Sequence, residues 1–107
     1  MPEPASEHAS DADLLAIVQG RDARAAELAF EALYLRHRDF VFRVARRFAG
    51  DDEAAMDAAQ EVFTYLLKRL PRLSLTGKLS TYLYPIAKSC GLDKRRKAIA
   101  ERRRIEA

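Results

Sequence analysis

Apolar residues recur at helical spacing along most of the chain, and no stretch shows the strict alternation typical of a half-buried strand. The clearest pattern lies between Asp51 and Leu70, where acidic residues open the segment and Pro71 follows it. Positions spaced i, i+3, i+4 and i+7 predict one buried stripe on this central helix. Its members are Ala55, Ala58, Ala59, Val62, Leu66, Leu67 and Leu70.

Two helices are predicted before the central one. Ser10, with Asp13 three residues later, has the spacing of a helix N-cap, so a first helix is expected over residues 11–19. Asp22 can cap a longer helix over about residues 23–48. Because only a few residues connect this helix to the central one, the two are expected to form an antiparallel hairpin. The inward positions are Leu14, Leu15 and Val18 in the first helix, and Phe30, Leu33, Tyr34, His37, Val41, Val44, Ala45 and Phe48 in the second.

A loop and a last helix are predicted after the central helix. The segment from Pro71 to Lys78 holds Pro, Ser, Thr and Gly, as surface loops do. Ser80 is expected to cap a helix that starts at Thr81, and Pro85 in its second turn should kink it. The basic run that follows is expected to continue as a helical extension. The inward positions of the last helix are Leu79, Leu83, Ile86, Ala87 and Cys90.

These elements predict an all-α fold, a compact bundle of about four helices with a helical hairpin core and a basic C-terminal helix extension. The 107 residues suffice for one small domain with its own hydrophobic core. We expect a disordered tail at residues 1–9, the folded domain at residues 10–97, and the start of a basic linker at residues 98–107.

Charge is divided unevenly along the chain. Residues 1–61 carry seven Lys and Arg against 13 Asp and Glu, whereas residues 62–107 carry 12 against three. The basic half suggests a polyanionic partner such as nucleic acid, although an ordinary solvated surface can also be uneven in charge. A single cysteine, no secretory signal pattern and no apolar run near the roughly 20 residues of a membrane span predict a cytoplasmic protein without membrane insertion.

Catalytic and metal chemistry are not expected. His37 lies on a helix stripe without a second His, Cys or carboxylate at ligand spacing, so a satisfied, half-buried histidine is the better interpretation. Cys90 is interpreted as a small core residue, and helix capping explains the acidic run that begins at Asp51. We therefore predict no enzyme activity, no metal and no cofactor.

Aromatic and cationic residues are interleaved in the basic half. Tyr82 and Tyr84 lie near Lys78 and Lys88 in the sequence. Such a mixture suits single-stranded nucleic acid, because bases stack on rings while cations contact phosphates. The same two tyrosines could instead form the amphipathic rim of the core. The residue pattern leaves both interpretations open.

Four segments follow one another in the order DADLLAIVQGRD, AFEALYLRHRDFVFRVARRFAGD, DAAQEVFTYLLKRLPRL and LSTYLYPIAKSCGLDKRRK. Together they resemble region 2 of bacterial sigma factors, and within the sigma-70 family the extracytoplasmic-function (ECF) group. The resemblance covers roughly residues 11–96, and DAAQEVF is its most specific part. It implies a domain that binds core RNA polymerase and recognises and melts the minus-ten promoter element. Complete members continue into a second helical domain that reads the minus-thirty-five element, and this chain is expected to end in the linker before it.

The resemblance also implies roles for individual residues. Docking on the clamp helices of the polymerase β′ subunit is implied for Arg38, Val41, Asp57, Gln60 and Glu61. The segment from Arg72 to Lys78 matches the family's recognition loop, which captures a base flipped from the non-template strand, and the next helix carries the melting surface. The candidate DNA contacts are Arg72, Thr76, Lys78, Tyr82, Lys88, Arg95 and Arg96. An anti-sigma factor is a further expected partner.

Three positions depart from the family pattern. Tyr82 stands where the family usually has Trp, Ser89 where it usually has Asn, and Pro85 where a basic residue is common. These departures leave a second hypothesis open, a sigma-like interaction module that binds polymerase or an anti-sigma factor without melting promoter DNA. A third hypothesis is a basic helical nucleic-acid binder unrelated to polymerase. The polar patch around Gln60 argues against the third.

Overall fold

The computed structural model of the chain describes residues 9–106, and this part of the chain contains four α-helices, one 3₁₀ turn and no strand. The helices are α1 (Asp11–Val18), α2 (Ala23–Ala49), α3 (Asp52–Arg69) and α4 (Leu79–Glu106), and the 3₁₀ turn spans Leu70–Arg72. The predicted all-α bundle is therefore confirmed. The tail predicted at residues 1–9 lies outside the described residues except for Ala9, which packs against the core.

The first two helices begin at the predicted caps. The Ser10 hydroxyl accepts a hydrogen bond from the Asp13 N–H at 3.0 Å, and the Asp13 carboxylate accepts one from the Ser10 N–H at 3.3 Å, which forms a capping box. Asp22 caps α2 by accepting from the Ala25 N–H at 3.1 Å. Each cap satisfies backbone donors that the first turn of a helix leaves without a partner.

A tight connection joins α2 and α3 into the predicted hairpin. Gly50 has a φ of 103°, a conformation that residues with a Cβ atom rarely adopt, and this lets the chain reverse at once. Asp51 then caps α3 by accepting from the Ala54 N–H at 2.8 Å. An ion pair of 2.7 Å between Arg46 and Asp52 spans the connection.

The core lies where α2 meets the other helices. Helix α2 contacts α1, α3 and α4, and α3 and α4 also contact each other. The largest fully buried side chains come from all four helices and the 3₁₀ turn: Leu14, Leu33, Val41, Val62, Leu66, Leu70, Leu79 and Leu83. No buried side-chain nitrogen or oxygen atom within residues 9–106 lacks a hydrogen-bond partner.

Helix α4 passes close to α2 at Gly91, which is buried. A Cβ atom at this position would lie 2.9 Å from the Ala45 carbonyl oxygen and 3.2 Å from the Phe48 Cβ atom. The glycine lowers helix propensity by about 1 kcal/mol relative to alanine, and it allows an approach that a larger residue would prevent.

Three predictions about the helices are wrong in detail. Leu67 and Tyr34, predicted to face inward, are 52% and 39% exposed. Both lie at the edge of the α2–α3 pair rather than beneath it. Helix α4 begins at Leu79, so Ser80 lies inside the helix and does not cap it. The helix continues through Pro85, and the predicted kink there stays a prediction.

The basic extension is helical as far as the structure describes it. Helix α4 runs to Glu106, and residues 95–106 are all exposed. Its 28 residues correspond to a length of roughly 42 Å. None of the described helices combines the length and the apolar character needed to span a membrane.

Candidate functional site

An apolar groove, here called the hairpin groove, runs along the outer side of the α2–α3 pair. Met56, Leu67 and Tyr34 line it and are 63%, 52% and 39% exposed. The Tyr34 ring packs edge-on against Phe63, with ring centroids 4.9 Å apart and planes at 71°. The other residues that line the groove are Phe30, Arg38, Asp39, Phe42, Ala59, Gln60 and Thr64. An exposed apolar centre with a polar rim is typical of a protein-binding surface.

Helical spacing explains how the groove forms. Tyr34, Arg38 and Phe42 are four residues apart on α2 and therefore share one face. Gln60, Phe63 and Leu67 share the facing edge of α3 in the same way, at intervals of three and four residues. The hairpin sets these two edges side by side. A row of side chains from α2 thus forms one wall of the groove, and a row from α3 forms the other.

A second, polar groove lies between α3 and α4. Lys94 of α4 forms an ion pair with Glu61 of α3, and this hydrogen bond raises the pKa of Lys94. Burial raises the pKa of the Cys90 thiol, and the charges of Glu61 and Asp93 add to this effect. The lining residues are Asp57, Gln60, Glu61, Thr64, Tyr65, Lys68, Cys90 and Lys94. Gln60 and Thr64 line both grooves, so they form the ridge between them.

The loop between the 3₁₀ turn and α4 presents cationic and hydroxyl side chains at one end of the bundle. Arg72, Thr76 and Lys78 are all exposed. The side-chain amide of Gln19, at the end of α1, donates hydrogen bonds to the carbonyl oxygens of Leu70 at 2.8 Å and Leu73 at 2.7 Å. The loop is therefore anchored at its base, and its two leucines, Leu73 and Leu75, pack against the core while its polar side chains face solvent.

An aromatic and cationic cluster lies beside this loop, where α3 ends and α4 begins. The Arg69 guanidinium lies 5.0 Å from the centre of the Tyr65 ring. Tyr82 of α4 lies next to both residues, and it is half-buried. Burial raises the pKa of the Tyr82 hydroxyl, Tyr65 raises it further, and the charge of Arg69 lowers it. The ring of Tyr82 is thus partly covered by its own domain.

The buried His37 of α2 contacts the carboxylate of Asp11 at the start of α1. The Nε2 atom of the buried His37 lies 3.0 and 2.9 Å from the two carboxylate oxygens of Asp11. Within residues 9–106, no group of three or more His, Cys, Asp or Glu is placed to hold a metal ion.

A family model described as Sigma-70 region 2 matches residues 33–101, more than half of the chain. The chain belongs to the sigma-70 region 2 family. Sigma region 2 is a non-enzymatic transcription-factor domain that binds RNA polymerase and recognises promoter DNA. Comparisons with curated proteins and with solved structures found no match. The matched segment includes both edges of the hairpin groove, the loop and most of α4.

The residues implied in polymerase docking fall in different parts of this sigma region 2 domain. Arg38 and Gln60 line the hairpin groove. Asp57 and Glu61 lie on the neighbouring face of α3 and line the polar groove. The prediction is wrong for Val41 as a contact, because its side chain is completely buried beneath the helix pair and no partner can reach it.

The residues implied in DNA contact form two groups. Arg72, Thr76, Lys78 and Tyr82 surround the loop and the first turn of α4. The second group lies further along α4 and consists of Lys88, Arg95 and Arg96. The Lys88 ammonium lies 5.2 Å from the centre of the Phe48 ring, on the side that faces α2. Arg96 bonds to Asp93 at 3.1 Å, so its charge is partly neutralised within the helix.

The apolar centre of the hairpin groove was not predicted from the sequence. Met56 belongs to no predicted stripe, while Leu67 and Tyr34 were assigned to the core. The signal was present in the spacing, since Met56, Gln60, Phe63 and Leu67 follow one another at intervals of three and four residues. Periodicity gives the direction of a side chain on its helix, and it does not say whether another helix covers that direction.

Proposed function

We propose that this domain docks on core RNA polymerase through the hairpin groove and binds the minus-ten element through the loop and the start of α4. The observation that carries the docking proposal is the exposed apolar centre of Tyr34, Met56 and Leu67. A polar ridge that contains Gln60 borders this centre on one side. Domains of the sigma region 2 family bind polymerase, and this groove is a surface suited to that task.

The partner proposed for the groove is the pair of clamp helices of the β′ subunit. A coiled coil can lay apolar side chains between the walls of the groove, and removal of this apolar surface from water favours binding. Arg38 and Asp39 on α2 offer opposite charges on the rim, which would fix the direction of the bound helix. The apolar centre supplies affinity and the rim supplies orientation.

The DNA surface proposed here lies at the end of the bundle where the loop joins α4. Arg72 and Lys78 flank the loop with positive charge, and the Tyr82 ring lies next to it. Extrusion of a base from the stack costs a few kcal/mol, which contacts in a receiving pocket must offset. The loop supplies those contacts, and the basic length of α4 supplies phosphate contacts with little sequence information.

The interaction module without promoter melting is the second candidate function, and one observation favours it. The Tyr82 ring, which should stack on a base, packs next to Tyr65 and Arg69 of its own domain. A ring that is already partly covered offers less area for stacking. An anti-sigma factor is a proposed partner under either candidate function. Membership of the ECF group is likewise proposed under both.

The test uses the full chain, core RNA polymerase and a randomised single-stranded oligonucleotide pool. Oligonucleotides retained with the complex are sequenced, and polymerase binding is measured separately by pull-down. We expect polymerase-dependent enrichment of one short motif. Polymerase binding without enrichment would favour the interaction module, and no polymerase binding would contradict the docking proposal.

A further inference from the structure

Gln19 joins α1 to a part of the chain more than fifty residues away. Its side-chain amide donates to the Leu70 carbonyl at 2.8 Å and to the Leu73 carbonyl at 2.7 Å. These two carbonyls bracket the 3₁₀ turn, so the bonds fix the point at which the loop leaves the bundle. An amide nitrogen carries two N–H donors, and the two carbonyls use both of them.

Leu73 and Leu75, both partly buried, pack against the core and give the loop further support. The Leu73 N–H donates to the Leu70 carbonyl at 3.2 Å, which closes the 3₁₀ turn. Residues 74 and 76–78 are exposed. The fully buried Leu70 side chain holds one end of the turn in the core, and Gln19 bonds the other end to α1 through the Leu73 carbonyl.

Helix α1 is itself fixed, which makes Gln19 an effective anchor. At the opposite end of the helix, the Asp11 carboxylate accepts a hydrogen bond from Arg36 at 3.0 Å and lies 2.9 Å from the His37 ring nitrogen. Leu14 and Leu15 are buried in the core between the two ends. The helix cannot slide along α2 without breaking these contacts. The Gln19 amide is therefore held at a constant position relative to the rest of the bundle.

We infer that Gln19 is a positioning residue for the DNA-binding loop. It touches the backbone at the base of the loop and sets the direction in which Arg72, Thr76 and Lys78 are presented. The consequence for DNA rests on the proposed function, whereas the effect of Gln19 on the loop does not. Gln19 also lies outside the segment that the family model matches, so this support comes from a part of the chain that the match does not include.

The effect on the loop is tested by NMR on the ¹⁵N-labelled chain. Gln19→Met keeps the length of the side chain and removes both donors. We expect the Leu73 amide to exchange with solvent roughly three- to tenfold faster, because each lost bond weakens the turn. Relaxation measurements should show greater motion in residues 74–78, with α2 and α3 unchanged.

Two further variants separate donor chemistry from a general effect on α1. Gln19→Lys restores a donor on a side chain long enough to reach a carbonyl, and it should recover part of the slow exchange. Ala16→Met alters an exposed position on the same helix and should leave the loop as it is. Unchanged exchange and motion in Gln19→Met would overturn the inference, and so would equal loosening in Ala16→Met.

The consequence for recognition is tested by repeating the oligonucleotide selection with Gln19→Met. We expect polymerase pull-down to stay at the wild-type level, while the preference at the nucleotide held by the loop falls at least threefold. Equal selectivity of wild type and variant would overturn the role in recognition. If the wild-type chain selects no motif, the proposed function fails, and the NMR result still decides whether Gln19 positions the loop.

Discussion

The hairpin groove and the loop end of the bundle are built in opposite ways. The groove is a surface of two long helices, and fully buried residues of the same helices, such as Val41 and Val62, belong to the core of the bundle. The loop is a short segment with exposed polar side chains, and it is held by the two hydrogen bonds of Gln19 at its base and by the packing of Leu73 and Leu75. A substitution on the groove therefore removes contact area from a surface that keeps its shape. At the loop, a residue that touches no ligand can change the shape itself.

The difference also concerns charge. The groove has an apolar centre, so binding there should depend weakly on salt. The loop and α4 carry exposed cations, and binding to a polyanion through them should weaken as salt rises. Salt thus provides a way to examine the two surfaces separately in a single ternary complex.

The largest effect is expected from charge placed in the groove. Met56→Asp together with Leu67→Asp puts two carboxylates where a partner would have to exclude water. We expect a loss of about 2–4 kcal/mol in polymerase binding, measured by titration against core polymerase. Stability in urea should change by less than about 0.5 kcal/mol, because both side chains are more than half exposed.

A matched control for this prediction exists on the same protein. Leu28 and Leu35 are 50% and 51% exposed on α2, and neither lines the hairpin groove. Leu28→Asp with Leu35→Asp adds the same charge and should leave polymerase affinity unchanged. Equal losses in the two double variants would show that charge rather than the groove determines binding, and would contradict the docking proposal.

The next effect in size comes from the contact that holds α4 against the hairpin. Gly91→Val places atoms within 3 Å of the Ala45 carbonyl, so α4 must move away from α2. We expect a destabilisation of about 1–3 kcal/mol in urea unfolding. Gly77→Val in the loop serves as the control, because a Cβ atom there has no neighbour within 4 Å. If Gly91→Val and Gly77→Val destabilise the protein equally, the close approach of α4 to α2 is not the cause of the destabilisation.

The helices and their starts could be predicted from the sequence, because the signals for them are local. Ser10, Asp22 and Asp51 each lie immediately before the segment that they cap, and the apolar stripe of α3 is visible in its spacing. The prediction that Leu67 faces the core was wrong, because the exposure of a side chain depends on what the neighbouring helix covers. The spacing predicted correctly that Val41 faces inward, whereas the docking role implied by the family resemblance conflicts with its complete burial.

The support of the loop could not be predicted from the sequence. Gln19 follows a short helix and resembles any polar residue near a glycine. Its partners are backbone carbonyls of Leu70 and Leu73, which every residue type possesses, so no sequence pattern marks them. Only the packing of α1 across the bundle brings these groups together. Neither periodicity nor sequence motifs predict a contact between a side chain and a distant segment of backbone.

A smaller effect is expected from the cations along α4. Arg95→Ala with Arg96→Ala should weaken DNA binding by about 1 kcal/mol for every sequence tested, since phosphate contacts carry no base information. The salt dependence of binding should become shallower by less than about 1.4 logarithmic units per decade, the value for two free cations on a single strand. The bond between Arg96 and Asp93 reduces the contribution of Arg96. A loss restricted to one sequence would contradict the assignment to phosphates.

The smallest effect concerns Glu61, which lines the polar groove between α3 and α4. Its carboxylate forms an ion pair with Lys94, and the pair raises the pKa of that lysine. A raised pKa means that the folded state binds the proton more tightly than the unfolded state does. The contribution of the ion pair to the free energy of unfolding is therefore complete below the pKa of an unfolded lysine, about 10.4. It is lost as the pH rises through the higher pKa of Lys94 in the folded state.

Lys94→Met tests whether the ion pair stabilises the packing of α4 on α3 or keeps the Glu61 carboxylate from contacting polymerase. We expect a destabilisation of about 0.5 kcal/mol in urea at pH 7, because the Glu61 side chain is 48% exposed, and none at a pH above the raised pKa. If Glu61 also contacts polymerase, its release should raise polymerase affinity in Lys94→Met but not in the double variant with Glu61→Gln. If affinity is the same in both, Glu61 serves the helix contact alone, and the docking surface is the hairpin groove with its ridge at Gln60.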